Sequence, residues 1–191
     1  MSHFFAYISK MKWIRRWGLM KNTAEENIME HSWQVAVIAH GLATVKNEVF
    51  GGSVDAEHIA MLALYHETGE VITGDFATPI KYFNPEVKQA IGKMEHLAKK
   101  RIHEMLPEEL RPAYQPLIFP DEASEEYQIV KAADRICAYL KCVEEMKWGN
   151  REFEKAAASI GRDIEKIDRD EVRYFMEHFV ESFSLTLDEL N

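Results

Sequence analysis

The sequence predicts an all-α fold, and three observations carry that reading. Apolar residues recur at helical spacing in successive segments, no stretch alternates apolar and polar residues long enough to build a sheet, and the breaks between segments hold glycine or proline.

A first helix is expected over 3–12. A second, over 30–47, places Val35, Ile38 and Leu42 on one face and stops before Gly51-Gly52. Asp55 is a suitable N-cap for a third helix over 56–67, whose apolar stripe is Ile59, Leu62 and Ala63. Gly74 and Pro79 bound an irregular loop with a helical turn near 79–83. A helix over 86–105 follows, and Pro107, Pro112 and Pro116 punctuate the middle of the chain around a further turn near 108–112. Val130, Ala133, Cys137 and Leu140 supply the stripe of a long helix over 124–148, and Gly149-Asn150 separates it from two last helices at 151–167 and 170–181. Lys99-Lys100-Arg101 and the run around Glu125-Glu126 read as solvated helix faces, and His96 and His103 as surface residues.

At 191 residues and 47% hydrophobic the chain is long enough for one well-buried core, and no glycine- or serine-rich linker divides it, so a single domain over 1–191 is expected. No stretch approaches the roughly 20 apolar residues of a membrane helix, and the start shows no cleavable leader, which makes a cytoplasmic location the expectation. Cys137 and Cys142 point to different faces of one helix and read as packing residues. A net charge of −9 excludes nonspecific binding to a nucleic acid polymer, which needs a basic surface to displace counterions. Lys10, Lys12, Arg15, Arg16 and Lys21 nevertheless fall together without an intervening acid, and could offset the charge of a small phosphate. A solvated basic face is the alternative reading of that stretch.

Four residues carry the chemistry. His31 lies four residues before Val35 and seven before Ile38, His66 four after Leu62, Glu67 four after Ala63, and Asp134 four after Val130. All four therefore sit on or beside the apolar stripe of their helix. Taken singly, each histidine reads as a core residue bonded to a carbonyl, and Asp134 as a partner of Arg135. Taken together, three helices each burying a ligand-type group point to one metal site, because unpaired buried charge is costly. Two imidazoles and two carboxylates suit a divalent transition ion (Co, Mn, Ni, Fe or Zn) better than calcium or magnesium, which prefer oxygen shells. Glu70 stands about one turn beyond His66, where it could handle a proton; a surface carboxylate is its alternative reading.

The pattern His31, His66-Glu67, Asp134 resembles the H…HD…D signature of the HD-domain phosphohydrolases. The likeness extends through Ser2-His3-Phe4-Phe5, Arg16-Trp17, Glu26-Asn27-Ile28-Met29-Glu30-His31-Ser32, Tyr65-His66-Glu67, Glu70-Val71-Ile72-Thr73-Gly74-Asp75, Thr78-Pro79-Ile80-Lys81-Tyr82-Phe83-Asn84, Ala133-Asp134 and Ala138-Tyr139-Leu140-Lys141-Cys142. Over nearly the whole chain it is similar to the bacterial HD-domain 5′-deoxynucleotidases. The resemblance implies an HD-type helical bundle with a buried metal site, a homodimer, and removal of phosphate from deoxyribonucleoside 5′-monophosphates.

It also implies roles for individual residues. Glu70 would be catalytic, Arg16 would contact phosphate, Trp17 would pack against the deoxyribose where a 2′-hydroxyl would sit, with a plain core residue as its alternative reading, and Asp75 would accept from the 3′-hydroxyl. Thr78 and Lys81 are further candidates for the phosphate end. Two departures stand out: Glu67 replaces the Asp of the signature, and Ala77 stands where relatives have Pro. The alternatives are a phosphohydrolase acting on deoxynucleoside di- or triphosphates or another small phosphate ester, and a nucleotide binder that Glu67 has left catalytically impaired.

Overall fold

A computed structural model describes residues 1–190. Ten α-helices and several short 3₁₀ turns account for the regular structure among these residues, and an antiparallel bridge between Arg15 and Asn27 is the sole β feature. In chain order the helices are α1 (Phe4–Ile8), α2 (Ile28–Phe50), α3 (Ala56–Tyr65), α4 (Glu70–Thr73), α5 (Thr78–Lys81), α6 (Pro85–Glu104), α7 (Arg111–Ile118), α8 (Glu125–Lys147), α9 (Glu154–Glu165) and α10 (Asp170–His178).

The two longest helices form the axis of the bundle. α2 packs along α3 and α8, α9 covers α8, and α10 covers α2. Val35, Ala39, Leu42, Ile59, Ala63, Val130, Ala133, Ile136, Cys137 and Leu140 are wholly buried where these helices meet. Full burial of a Leu42 or Ile136 side chain stabilises the fold by roughly 1.5–3 kcal/mol. A smaller cluster of Phe4, Ile102, Leu106 and Ile118 ties α1, α6 and α7 together.

The boundaries depart from the sequence expectations at places with physical causes. α2 begins two residues early because Asn27 accepts from the backbone of Met29 and Glu30 while the Glu30 side chain accepts from Asn27, a reciprocal capping box. It runs on to Phe50 and ends where Gly51 adopts φ +69°, a left-handed value that suits glycine. α3 stops at Tyr65, so His66 and Glu67 lie in a turn rather than inside a helix; Thr68 closes that turn by donating from Oγ1 to the Tyr65 carbonyl at 2.6 Å. The expected turn near 108–112 is a 3₁₀ turn over Glu108–Leu110 that continues as α7, with Pro112 in its first turn where no N–H is required. The first helix expected over 3–12 divides into α1 and a 3₁₀ turn, Ser9–Trp13. His103, expected at the surface, is half-buried with Nε2 3.0 Å from the Arg111 carbonyl. Both cysteines are free and buried, as packing residues should be.

The segment between Trp13 and α2 has no helix of its own. It is held instead by a buried ion pair on α8: Glu145 accepts from Thr23 N at 2.9 Å and Asn150 Nδ2 at 2.8 Å, and Lys141 donates to both Glu145 and the Ala24 carbonyl at 2.5 Å. Glu145 and Lys141 are 1% and 6% exposed at their side chains, and a charge pair that dry holds only if every lone pair finds a donor, which here it does. No helix among the described residues is long and apolar enough to cross a membrane.

Candidate metal centre and substrate face

The capping box fixes the start of α2 so that His31 falls on its core face, where it is fully buried. Its Nε2 lies 3.1 Å from Asp134 Oδ1 on α8, and its Nδ1 faces Glu26 Oε1 at 3.6 Å. Burial alone would pull the His31 pKa down, but the bonds to Asp134 and Glu26 outweigh it and hold it above the usual value.

His66 follows the end of α3 with its ring turned inward. Its Nδ1 lies 2.6 Å from the Ala63 carbonyl, an oxygen that can only accept, so Nδ1 carries the hydrogen. Nε2 is therefore the nitrogen left to take a proton or a cation; it is buried and makes no aligned hydrogen bond. It faces Glu67 Oε1 at 3.3 Å and Asp134 Oδ1 at 4.0 Å. Nε2 directed at two carboxylates demands positive charge between them, which a divalent ion held by this donor set supplies. One ligand atom from each of His31, His66, Glu67 and Asp134 lies within 4.8 Å of the others.

The longer Glu67 side chain therefore still reaches the cluster. Burial raises its pKa, but positive charge on His66 outweighs burial and keeps the carboxyl well below the usual range, a proton on Nε2 standing where a metal cation would. Glu70 behaves oppositely. It is 8% exposed, which excludes the surface reading, and burial followed by the charge of Glu67 pushes its pKa up to about 10. That direction favours the protonated carboxyl beside Glu67, and Glu70 Oε2 is buried without a hydrogen-bond partner.

Of the basic stretch, Arg16 alone turns inward. Its side chain is 13% exposed, its Nε lies 3.3 Å from Glu26 Oε2, and it feels the charges of Glu26, Asp134, Glu67 and Asp75. Arg15 pairs at the surface with Glu25 at 2.8 Å, and Lys10, Lys12 and Lys21 are exposed. Trp17 is half-buried, its ring 5.4 Å from that of Phe153, and its Nε1 donates to Glu26 Oε2 at 2.9 Å. Asp75 follows Gly74, whose φ of +73° turns the chain after α4, and it is half-buried with a pKa that burial raises.

Two candidates stand apart from this convergence. Thr78 is exposed at the start of α5, and Lys81 is committed to Glu95 on α6 at 2.8 Å. Lys81 nonetheless lines a cavity of about 290 Å³ together with His66, Glu67, Glu70, Lys99 and Lys131. Asp134 is paired as the simplest reading required, but through Lys131 at 2.7 Å; Arg135 points to Asp163 at 4.0 Å.

Sequence reasoning missed two residues. Glu26 touches His31, Arg16 and Trp17 from an irregular segment, where no periodicity could have marked it. Lys131 could have been found, since it stands three residues before Asp134 on one helix.

A helical bundle that brings two histidines and two carboxylates from α2, the turn after α3 and α8 to one point is that of an HD-domain phosphohydrolase. Residues 3–183 match the profile of the YfbR-like 5′-deoxynucleotidases, and the chain belongs to that family. It is 50% identical to the 5′-deoxynucleotidase of Vibrio cholerae over 191 residues, covering 100% of this chain and 98% of that one. Among solved structures it is similar to an HD-domain phosphohydrolase from Listeria innocua, with a TM-score of 0.83 and 24% identity over 95% of this chain and 88% of that one. A cyanophage S-2L HD phosphohydrolase described as bound to dA and one catalytic Zn²⁺ ion shares the fold with a TM-score of 0.62 and 20% identity, over 93% of this chain and 96% of that one.

Proposed function

We propose that this protein is a metal-dependent 5′-deoxynucleotidase that converts a deoxyribonucleoside 5′-monophosphate and water to the deoxynucleoside and phosphate. Family membership and 50% identity to a curated 5′-deoxynucleotidase support the reaction. The single structural observation that carries the mechanism is the buried His66 Nε2 facing two carboxylates. His31, His66, Glu67 and Asp134 would hold a divalent transition ion, as the Zn²⁺ of the cyanophage relative suggests by analogy. When bound, the ion supplies Lewis acidity that acidifies the attacking water and draws charge from the phosphoryl oxygens.

The remaining chemistry belongs to the chain's own side chains. Arg16 faces the cluster from the loop side and offsets the phosphoryl charge. Glu70, whose buried Oε2 has no hydrogen-bond partner, would give a proton to the departing 5′-oxygen as the P–O bond breaks, and recover one from the water that attacks phosphorus. Trp17 walls off the 2′-carbon and Asp75 accepts from the 3′-hydroxyl. Lys81, paired with Glu95 but lining the same cavity as His66, Glu67 and Glu70, and the exposed Thr78 serve the phosphate end. The reading further takes the chain as one domain acting as a homodimer in the cytoplasm.

Phosphate release from dAMP, AMP, dADP and dATP, each assayed with Mn²⁺, Co²⁺, Ni²⁺ and Zn²⁺, tests the reaction directly. Turnover of dAMP above the other three is the expected result. Preference for dATP would move the protein to the triphosphohydrolases, and no turnover with any ion would leave a nucleotide-binding protein impaired by Glu67.

A further inference from the structure

Asp134 is held from both sides. Its Oδ1 lies 3.1 Å from His31 Nε2 and 4.0 Å from His66 Nε2, while Oδ2 receives Lys131 Nζ at 2.7 Å. The two residues are one turn apart on α8, so helix geometry brings them together without help from the rest of the fold. Lys131 is 47% exposed at its side chain, and an ion pair so open to solvent adds little to stability. Its consequence lies elsewhere: it decides how many oxygens Asp134 can turn inward.

A carboxylate can bind an ion through one oxygen or two, and a hydrolytic centre needs a position left over for water and for the phosphoryl oxygen. The second oxygen of Asp134 is able to fill such a position. Glu67 makes no Lys or Arg ion pair among the described residues; its ion pair is with His66. The geometry therefore points to an unequal arrangement of the two carboxylates around the cluster.

We propose that Lys131 is a positioning residue that keeps Asp134 a one-oxygen ligand, by holding Oδ2 out of the cluster so that a coordination position stays open. This rests on the metal reading of the cluster proposed above. Lys131 acts through Asp134, and the substrate has no part in the effect.

The test is the visible absorption spectrum of the full-length protein saturated with Co²⁺, compared among wild type, Lys131→Met and Lys131→Arg, with Co²⁺ affinity measured by calorimetric titration. The d–d bands of Co²⁺ weaken as its shell gains an oxygen. Lys131→Met should show weaker, shifted bands and bind Co²⁺ about 10-fold or more less tightly, the usual scale for losing a group that orients a ligand. Lys131→Arg, which retains the cation, should restore the wild-type spectrum. An unaltered spectrum in saturated Lys131→Met overturns the proposal whatever happens to affinity or turnover. A raised KM for dAMP accompanying that unaltered spectrum would make Lys131 a phosphate contact instead. Wild type that takes up no Co²⁺ would overturn the metal reading itself, and is distinguishable because it needs no variant.

Discussion

Trp17 Nε1 donates a hydrogen bond to Glu26 Oε2 over 2.9 Å, and the Trp17 backbone sits at φ +58°, in the left-handed region that non-glycine residues seldom occupy. The same Glu26 oxygen receives Arg16 Nε at 3.3 Å, and its other oxygen faces His31 Nδ1 at 3.6 Å. One carboxylate thus connects the proposed sugar wall, the proposed phosphate contact and a proposed metal ligand. Burial raises the Glu26 pKa, but His31 and Arg16 outweigh it and keep the group ionised.

Glu26→Gln keeps the size of this hub and removes its charge. Arg16 then loses its counter-charge, and His31 Nδ1 faces a neutral amide in place of a carboxylate. Turnover of dAMP should fall about 10- to 100-fold with a parallel loss of metal affinity, the scale for groups that support a ligand. Steady-state kinetics alongside metal titration checks this, and wild-type values for both would reduce Glu26 to a structural cap.

Asp134→Ala and Glu70→Ala separate ion binding from proton transfer. The first removes one of four ligand groups and should abolish bound metal and activity together. The second should keep the metal and lower kcat by roughly 100-fold or more, as expected for a proton-transfer group. Metal analysis of both purified variants decides the matter; stoichiometric metal in Asp134→Ala is the result that would exclude this centre.

The convergence of His31, His66, Glu67 and Asp134 was legible in the sequence because side-chain direction follows helical spacing, and this held even where the secondary structure did not. His66 lies beyond the end of α3, yet its backbone keeps φ −64° and ψ −29°, so its ring points where a continuing helix would have placed it. Glu26 was illegible for the complementary reason. It belongs to a segment whose shape is imposed by Glu145 and Lys141, more than a hundred residues away, and local pattern carries no trace of such a contact. The burial of Glu70 was equally hidden, since it depends on α4 folding back against α6.

Glu67→Asp tests whether the departure from the family signature matters. Glu67 Oε1 already lies 3.3 Å from His66 Nε2, so the longer side chain reaches the cluster. Shortening it restores the signature and should preserve or improve turnover. A large loss in kcat/KM would show that the centre has adapted to glutamate.

Acid should loosen the loop that carries Arg16 and Trp17. Burial raises the pKa of Glu145, but its bonds from Lys141, Thr23 and Asn150 outweigh burial and hold it at about 2, below its ordinary value of 4.5. Between those values the unfolded chain binds more protons than the folded one, so stability rises with pH there. The contribution is present above pH 4.5 and is lost as pH falls towards about 2, and the shift corresponds to something on the order of 3 kcal/mol. Glu145→Gln should therefore be destabilised relative to wild type at pH 7, with the gap closing in acid. Chemical denaturation of both proteins between pH 7 and 3 measures it; a gap independent of pH would mean the carboxylate charge is not what holds the loop.

Trp17 offers a test that separates sugar selection from backbone strain. If its ring closes the space beside the 2′-carbon, dAMP should be hydrolysed far faster than AMP, and an apolar wall of this kind is worth about 1–3 kcal/mol, or roughly 10- to 200-fold. Both Trp17→Ala and Trp17→Gly remove the wall, so both should narrow the dAMP to AMP ratio of kcat/KM to a similar degree. They differ in the backbone, because alanine retains the cost of φ +58° whereas glycine adopts that angle freely. The glycine variant should accordingly be the more stable of the two, by about 0.5–1 kcal/mol in denaturant unfolding. A dAMP preference that survives intact in both variants would place sugar selection elsewhere, with Asp75 the next residue to replace. A preference that changes in one variant and not the other would tie selection to the loop conformation instead of the ring.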